Sequence, residues 1–346
     1  MKQRIIWADA VKGFTILLMV MGHVLAWNYA DRSFLLQDVA TLPTNKIYGG
    51  IIWKLIYSFH MSLLFFISAY LSYKTDFFTF REVCKNTVNK FQRLMFPFFL
   101  TGFLVFFVRG VYGYWFLFVL FEFYLAYSIV SFLNQKINKK QNLLLELALL
   151  IIPFVFVYIM RKIFNGSQMA NILDFERFSE NYLFFVFGTL MKKYNHIEKF
   201  FSKNNIFTLS VVMYVGLILI YKYEILTIPH KEFTMSSLTK FCAIISIIYF
   251  FRKVFDENTN FIQKSLSYIG KYTLEIYMFH ICFVIQISAI GDFILSQSNV
   301  VTSVTVQLVV SFVFSVIAIV LSIILGKFIS KSNILSYLLL GKRIIH

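Results

Sequence analysis

The chain is poor in charge, cysteine and proline, and each shortage excludes a class of protein. Only 14% of its 346 residues are charged, whereas 59% are hydrophobic and the mean hydropathy is +0.72. A soluble globular domain carries about 25% charged residues, so the composition indicates an integral membrane protein instead. The three cysteines form no CxxC pair, which argues against a disulfide framework or a cysteine metal site. With four prolines and no repeat or low-complexity tract, residues 1–346 are predicted to form a single domain.

Acidic residues are also scarce, at 17 against 33 lysines and arginines, and the net charge is +16. The basic residues are distributed loop by loop and form no arm with interleaved aromatics, so a nucleic-acid partner is not expected. Most of them fall in alternate loops. By the positive-inside rule, this bias places both termini in the cytoplasm.

Long hydrophobic runs separated by short polar loops predict an all-α, polytopic membrane bundle of about ten transmembrane helices. Spans three and six are short for a hydrocarbon core, and one of them is open to a re-entrant interpretation. We expect a multi-pass protein of a bacterial plasma membrane, surrounded by lipids, whose first span is retained rather than cleaved. The predicted spans are residues 10–27, 51–73, 94–108, 112–133, 143–160, 181–191, 206–221, 236–251, 272–290 and 303–326.

The first predicted span contains a histidine where lipid chemistry disfavours one. An ionisable side chain inside a span costs about 2 to 4 kcal/mol, so it persists mainly where it faces a cavity or a partner. Lys12 and His23 are separated by about 16 Å along a helix, and their directions differ by only about 20°. Both are therefore predicted to lie on one helix face, with His23 deep in the span.

Three further predicted spans carry ionisable residues to which a role is assigned: His60 in the second, Glu122 in the fourth, and Glu275 with His280 in the ninth. A lone histidine of this kind is often only a hydrogen bond between packed helices. Several in one bundle favour a shared polar interior, in which Glu122 could orient an imidazole. Glu146 is assigned no role.

Lys90 and Arg93 stand at helical i, i+3 spacing just before the third predicted span. They could hold a polyphosphate, or they could simply contact anionic lipid head groups. The histidines offer a base for a hydroxyl group, and no Walker loop or dinucleotide fingerprint is present. Group transfer fits these residues best, although a proton-coupled transporter would use much the same set.

Taken in order, these motifs resemble the acyltransferase 3 family of membrane-bound acyltransferases over nearly the whole chain. The residues around the first histidine look most like the fucose 4-O-acetylase-like branch. Ala69 stands where the family usually has glycine in the second span. The matching residues are Asp9, Lys12, Gly13, Gly22 and His23; His60 and Ser68; Lys90, Arg93 and Pro97; Trp115 to Leu117; and Tyr277 with His280.

The resemblance implies an O-acyltransferase that moves an acyl group, usually acetyl, from acetyl-CoA or another acyl-CoA to a glycan. The acceptor would be a hydroxyl of a cell-surface, exported or lipid-linked glycan, and no metal or appended hydrolase-like domain is expected. His23 would act as a general base or carry the acyl group transiently. The assigned roles are catalytic for His23, Asp9 and Glu122, donor-binding for Lys12, Lys90 and Arg93, and substrate-binding for His60, Ser68, Trp115, Glu275 and His280.

A rival prediction from another class is a transporter or flippase that moves a glycan, or its lipid carrier, without acylating it. It would use the same many-span architecture and polar interior. The fate of the glycan in a deletion strain distinguishes the two: export without modification favours the enzyme, and internal accumulation favours transport. The sequence does not determine an oligomeric state.

Overall fold

A computed structural model of the chain describes residues 5–29, 52–53, 55–110, 114–139, 142–223, 231–254, 260–285, 287–297 and 299–342. Within these ranges the structure is helical and contains no β-strand, which confirms the predicted all-α class. The helices are α1 Ile6–Tyr29, α2 His60–Ser72, α3 Phe80–Phe96, a π-helix Pro97–Thr101, α4 Gly102–Arg109, α5 Trp115–Ile137, α6 Leu143–Ile163, α7 Gln168–Ile172, α8 Phe175–Lys193, α9 Asn195–Phe201, α10 Asn204–Tyr223, α11 Lys231–Val254, α12 Phe261–Lys271, α13 Thr273–Phe283, α14 Ser288–Ser296, α15 Val300–Ile329 and α16 Asn333–Leu340.

Six helical segments of the described residues are long and apolar enough to cross a membrane. A seventh is obtained if α9 and α10, which meet at a 62° bend, form one span. The membrane bundle is thus confirmed, whereas the predicted count of ten is not. The six segments are Ile6–Ala26, Leu55–Ser72, Phe80–Arg109, Trp115–Ile137, Leu143–Ile163 and Val301–Ile329.

Two predicted spans differ from the helices that the structure shows. The short third span, 94–108, is the end of a continuous helical stretch that begins at Phe80, where Thr79 and Glu82 form a reciprocal capping box. The ninth, 272–290, is divided between α13 and α14 because the helix ends at Phe283. The predicted beginnings of spans two and four, residues 51 and 112, lie outside the described residues.

The chain divides into two compact units, and each unit combines an earlier and a later part of the sequence. The first comprises Met1–Leu64 and Cys242–Phe328, and the second comprises Phe65–Phe241 and Ile329–His346. The prediction of a single domain stays a prediction. The two units are described separately below.

In the first unit, α1 packs along α12 and also contacts α13 and α14. Two glycines make the approach to α12 possible. A Cβ on Gly13 would lie 1.9 Å from the carbonyl oxygen of Leu266, and a Cβ on Gly270 would lie 1.9 Å from that of Asp9. The backbones of the two helices are therefore in direct contact, which only glycine at both positions permits.

The second unit is built around tightly packed aromatic rings. Phe123 of α5 lies at its centre, with ring-centroid distances of 4.8 Å to Phe65, 5.4 Å to Tyr182 and 5.4 Å to Phe185. All four side chains are almost completely buried. Around them α3 packs on α5, and α8 packs on both α5 and α6.

Candidate active site

His23 of α1 and His280 of α13 are brought into direct contact within the first unit. Nδ1 of His23 lies 2.8 Å from Nε2 of His280, and the ring centroids are 5.0 Å apart. His280 is buried, while His23 is only partly buried. In the structure His280 is the hydrogen-bonding partner of the first-span histidine, and the substrate-binding role that the resemblance gave it stays a prediction.

The backbone around His280 determines which nitrogens of the pair carry protons. Nδ1 of His280 lies 2.9 Å from the carbonyl oxygens of both Ile276 and Tyr277. Carbonyls only accept, so this nitrogen must carry hydrogen, and Nε2 of a neutral His280 is an acceptor. His23 then donates from Nδ1, which leaves the lone pair of its own Nε2 for a proton from another group.

His60, the second predicted intramembrane histidine, is also held by its backbone. Its Nδ1 lies 2.8 Å from the carbonyl oxygen of Ile56, and its ring meets that of Tyr57 edge-on at 4.6 Å. The Tyr57 ring in turn lies against Gly22, where an added Cβ would be only 2.7 Å from it. Tyr57 thus packs between His60 and the residue next to His23, a link that the sequence did not reveal.

The two acidic residues assigned to this unit lie elsewhere on its helices. Asp9 forms a 2.8 Å ion pair with Lys12, and 14 residues of helix place it about 21 Å from His23. Glu275 is buried in the first turn of α13 against Gly326, where an added Cβ would lie 2.6 Å from Cγ of the glutamate. The partner of Asp9 in the structure is Lys12, and its assigned catalytic role stays a prediction.

In the second unit, Lys90 and Ser68 are connected through a residue that sequence reasoning missed. The Lys90 ammonium lies 3.4 Å from the centroid of the Tyr124 ring, a cation–π contact. The Tyr124 hydroxyl donates a hydrogen bond of 3.1 Å to the carbonyl oxygen of Ser68. Tyr124 follows Glu122 by two residues, and its sequence context gave no sign of this contact.

The other residues assigned to this unit have distinct surroundings. The Arg93 side chain is exposed, one helical turn before Pro97. The guanidinium carbon of Arg177 lies over the Trp115 ring, 4.7 Å from the ring centroid. Glu122 is partly buried, and its Oε2 makes no hydrogen bond to the residues that the structure describes. A buried carboxylate oxygen without a donor is costly and is typical of a place where a ligand completes the hydrogen bonding.

A second polar cluster, which we call the ion-pair cluster, consists of Asp76, Gln135, Glu146, Lys193 and Tyr194. The Lys193 ammonium lies 2.8 Å from Asp76 and 2.7 Å from Glu146. The Tyr194 hydroxyl donates to Glu146 at 2.5 Å, and Gln135 donates to Asp76 at 3.1 Å. Glu146, assigned no role from sequence, is thus the buried member of a polar network that joins four separate segments, and the other members are partly buried.

This cluster shifts the pKa values of its cation and its hydroxyl. Burial lowers the pKa of Lys193, but the hydrogen bonds to Asp76 and Glu146 more than offset this, so the pKa lies above its ordinary value. Burial, together with the hydrogen bond to Glu146, raises the pKa of Tyr194. Both groups are therefore held in their protonated forms at neutral pH.

Comparison with known families decides the class of protein to which these sites belong. The acyltransferase 3 model, described as an acyltransferase domain, matches residues 5–326. The chain belongs to the acyltransferase 3 family. No curated protein and no solved structure matches it. This acyltransferase 3 protein is an integral membrane acyltransferase, and its place in the fucose 4-O-acetylase-like branch stays a prediction.

The described residues contain no group of three or more histidine, cysteine, aspartate or glutamate side chains that could hold a metal ion. The chemistry available to the acyltransferase from these residues is that of imidazoles, carboxylates and cationic side chains. An acyl donor is implied by the family.

Proposed function

We propose that this acyltransferase moves an acetyl group from acetyl-CoA to a hydroxyl of a glycan at the bacterial cell surface. The observation that carries the proposal is the pair of His23 and His280. A neutral imidazole with a free Nε2 is suited to deprotonate a hydroxyl, and such general-base catalysis contributes about 10²- to 10⁴-fold to a rate. The fixed orientation of the ring avoids an entropic cost in the transition state.

In the proposed step, Nε2 of His23 takes the proton of the acceptor hydroxyl while its oxygen attacks the thioester carbonyl carbon. The carbon–sulfur bond breaks, and the thiolate of coenzyme A takes the proton from the His23 imidazolium. The products are an ester and free coenzyme A, with no redox change. Nε2 of His280 stabilises the imidazolium by accepting the hydrogen bond from Nδ1 of His23.

We assign recognition of the donor to cationic side chains. Lys12, Lys90 and Arg93 would neutralise the phosphates of coenzyme A, and the exposed Arg93 guanidinium can engage them in a bidentate manner. Asp9 would restrain Lys12 through their ion pair. The remaining proposed contacts are to the acceptor, and they are Ser68, His60, Trp115 and Glu275. Glu122 keeps its proposed catalytic role.

Mass spectrometry of surface and lipid-linked glycans tests the proposal in four strains: wild type, His23→Ala, a gene deletion, and His196→Ala as a control at an exposed histidine. We expect one acetyl group to be lost equally in the His23→Ala and deletion strains and kept in the control. The abundance of each variant in the membrane is measured in parallel. Retained acylation in a folded His23→Ala protein contradicts the assigned base, and glycan accumulating internally without a mass change indicates transport instead.

A further inference from the structure

The C-terminal helix α16 lies beyond the part of the chain that matches the family, which ends at residue 326. Ser332 caps its beginning by accepting a hydrogen bond from the backbone N–H of Leu335. Its end is a left-handed glycine, Gly341, with a φ of 58°. The N–H of Gly341 donates to the carbonyl of Tyr337, which is the 5→1 bond of an αL motif, and the N–H of Lys342 donates to the carbonyl of Ser336.

This C-terminal glycine lies directly on the backbone of Arg93. A Cβ added to Gly341 would be 2.3 Å from the carbonyl oxygen of Arg93 and 2.7 Å from its Cα. Real Cβ atoms do not approach backbone so closely, so one of the two segments would have to move. The contact is within the second unit, and it requires glycine for both its space and its backbone angle.

Two further contacts join α16 to the same short stretch of chain. The Thr101 hydroxyl donates to the carbonyl oxygen of Leu339 at 2.9 Å. The rings of Phe96 and Tyr337 meet edge-on with centroids 5.3 Å apart. The C-terminal helix therefore contacts α3 and the π-helix at three points between Arg93 and Thr101.

The stretch that α16 contacts is one in which the helix itself is weakened. Pro97 has no N–H to donate to the carbonyl four residues earlier, which is that of Arg93. The chain continues from Pro97 as a π-helix, a geometry that is rare and often found at functional sites. An external contact at the Arg93 carbonyl is therefore well placed to determine where this turn of helix lies.

We propose that α16 is part of the donor site and that Gly341 is a positioning residue for Arg93. Because Gly341 packs on the Arg93 backbone, it would fix the direction in which the exposed Arg93 guanidinium projects toward the phosphates of coenzyme A. This inference rests on the proposed function, in which Arg93 binds the donor. It adds a segment outside the family match to the machinery of the acyltransferase.

The chain provides a matched control in Gly110. Gly110 and Gly341 both cap the end of a helix, with φ of 66° and 58° and ψ of 17° and 22°. Nothing lies within 4 Å of a Cβ added to Gly110, however. Gly110→Ala and Gly341→Ala therefore impose the same backbone strain, and only the second forces α16 against Arg93.

The experiment measures the binding of coenzyme A to the purified full-length protein in detergent, and kcat and KM with acetyl-CoA. For Gly341→Ala we expect about a tenfold rise in Kd and KM with kcat little changed, and for Gly110→Ala no change. In an Arg93→Ala background, Gly341→Ala should have no further effect on Kd, because it acts through that side chain. Equal Kd for Gly341→Ala and wild type overturns the inference.

The two proposals fail in different ways. Wild-type protein that binds no coenzyme A contradicts the proposed function itself, whereas binding that is indifferent to Gly341→Ala contradicts only the positioning role. If Gly341→Ala does not fold, Thr101→Val decides, since it removes one hydrogen bond to α16 and keeps the side-chain shape. We expect a rise of a few fold in Kd for this variant, about twofold or more, and an unchanged Kd would overturn the inference.

Discussion

The imidazole pair of the first unit and the ion-pair cluster of the second are both polar groups largely removed from solvent, but their hydrogen bonding is completed differently. In the cluster, Lys193 lies between two carboxylates, and each of those accepts a further hydrogen bond from Tyr194 or Gln135. The imidazole pair has one hydrogen bond between its rings and two backbone carbonyls at His280. No carboxylate of the described residues forms an ion pair with either ring.

This is the difference expected between a structural polar network and the imidazole pair that we propose as the catalytic base and its partner. A network in which every group has its partner stabilises one arrangement and has no capacity left for a ligand. The His23 ring, by contrast, uses only Nδ1 and keeps an acceptor at Nε2. Substitutions in the ion-pair cluster should therefore change mainly the free energy of unfolding, and substitutions at the imidazole pair should change mainly the rate.

The largest expected effect is that of Lys193→Met on stability. It leaves the Asp76 and Glu146 carboxylates buried without a cation, which should lower the free energy of unfolding by about 3 to 5 kcal/mol. Denaturant unfolding of the purified protein in detergent measures this. Lys192→Met is the control, because among the described residues the neighbouring ammonium forms no ion pair and contacts the Tyr70 ring at 4.9 Å. Similar stability losses in the two variants would show that the cluster is not the structural network described here.

The next largest effect is that of His280→Phe on the rate. The phenylalanine keeps the volume of the ring but removes the acceptor for His23, so we expect kcat/KM to fall about 100-fold, or about 2.7 kcal/mol, with little change in unfolding free energy. Steady-state acyl transfer with acetyl-CoA measures the rate. His196→Phe, at an exposed histidine, should retain wild-type activity. A stability loss as large as that of Lys193→Met would remove the distinction between the two regions.

A smaller effect is expected from Gly270→Ala, which tests how the first unit is held together. Its Cβ would lie 1.9 Å from the Asp9 carbonyl oxygen, so α1 and α12 must separate. Such overpacking costs about 1 to 3 kcal/mol, and acyl transfer should also fall because α13, which begins at Thr273, carries His280. Gly216→Ala in α10 has nothing within 4 Å and should be neutral or stabilising. Equal unfolding curves for the two variants would contradict the close helix contact.

The smallest effect is the pH dependence contributed by the ion-pair cluster. Tyr194 and Lys193 both have pKa values raised above those of the unfolded chain. Groups shifted in this direction contribute stability that is fully present below the unfolded pKa, about 10 for both side chains, and is lost as the pH rises through the folded pKa. The unfolding temperature, measured from pH 8 to pH 11, should therefore fall less steeply for Tyr194→Phe than for wild type. If the two proteins give parallel curves of unfolding temperature against pH, other groups cause the loss of stability at alkaline pH.

The sequence predicted the structure correctly where the residues concerned lie within one helix. The placement of Lys12 and His23 within a first helix is confirmed by α1, which runs unbroken from Ile6 to Tyr29. Hydropathy could not find the beginning of the third segment at Phe80, because its first turns carry polar residues and only the part near Pro97 is apolar. Hydropathy also predicted α13 and α14 as one span, since an apolar run does not show where a helix ends.

Contacts between distant segments could not be predicted from the sequence. His23 and His280 are 257 positions apart, and no local spacing pairs them. Glu146 looked like an isolated carboxylate because Lys193 is 47 positions away and Tyr194 is 48. The side chain that contacts the His23 ring is His280. The proposed use of Glu122 to orient an imidazole stays a prediction. Periodicity identifies the face of a helix, but the partner of that face is determined by tertiary packing.

The assembly of the first unit from both an early and a late part of the chain has a consequence for biosynthesis. His23 leaves the ribosome 257 residues ahead of His280, an interval of about 13 to 50 s at ordinary rates of translation. During that time residues 65–241, most of the second unit, are completed. A nascent chain that terminates before residue 280 would thus carry all three cations assigned to the donor and still lack the ring that is proposed to orient its base. The order of translation therefore completes the proposed catalytic pair only after most of the predicted membrane-spanning residues have been made.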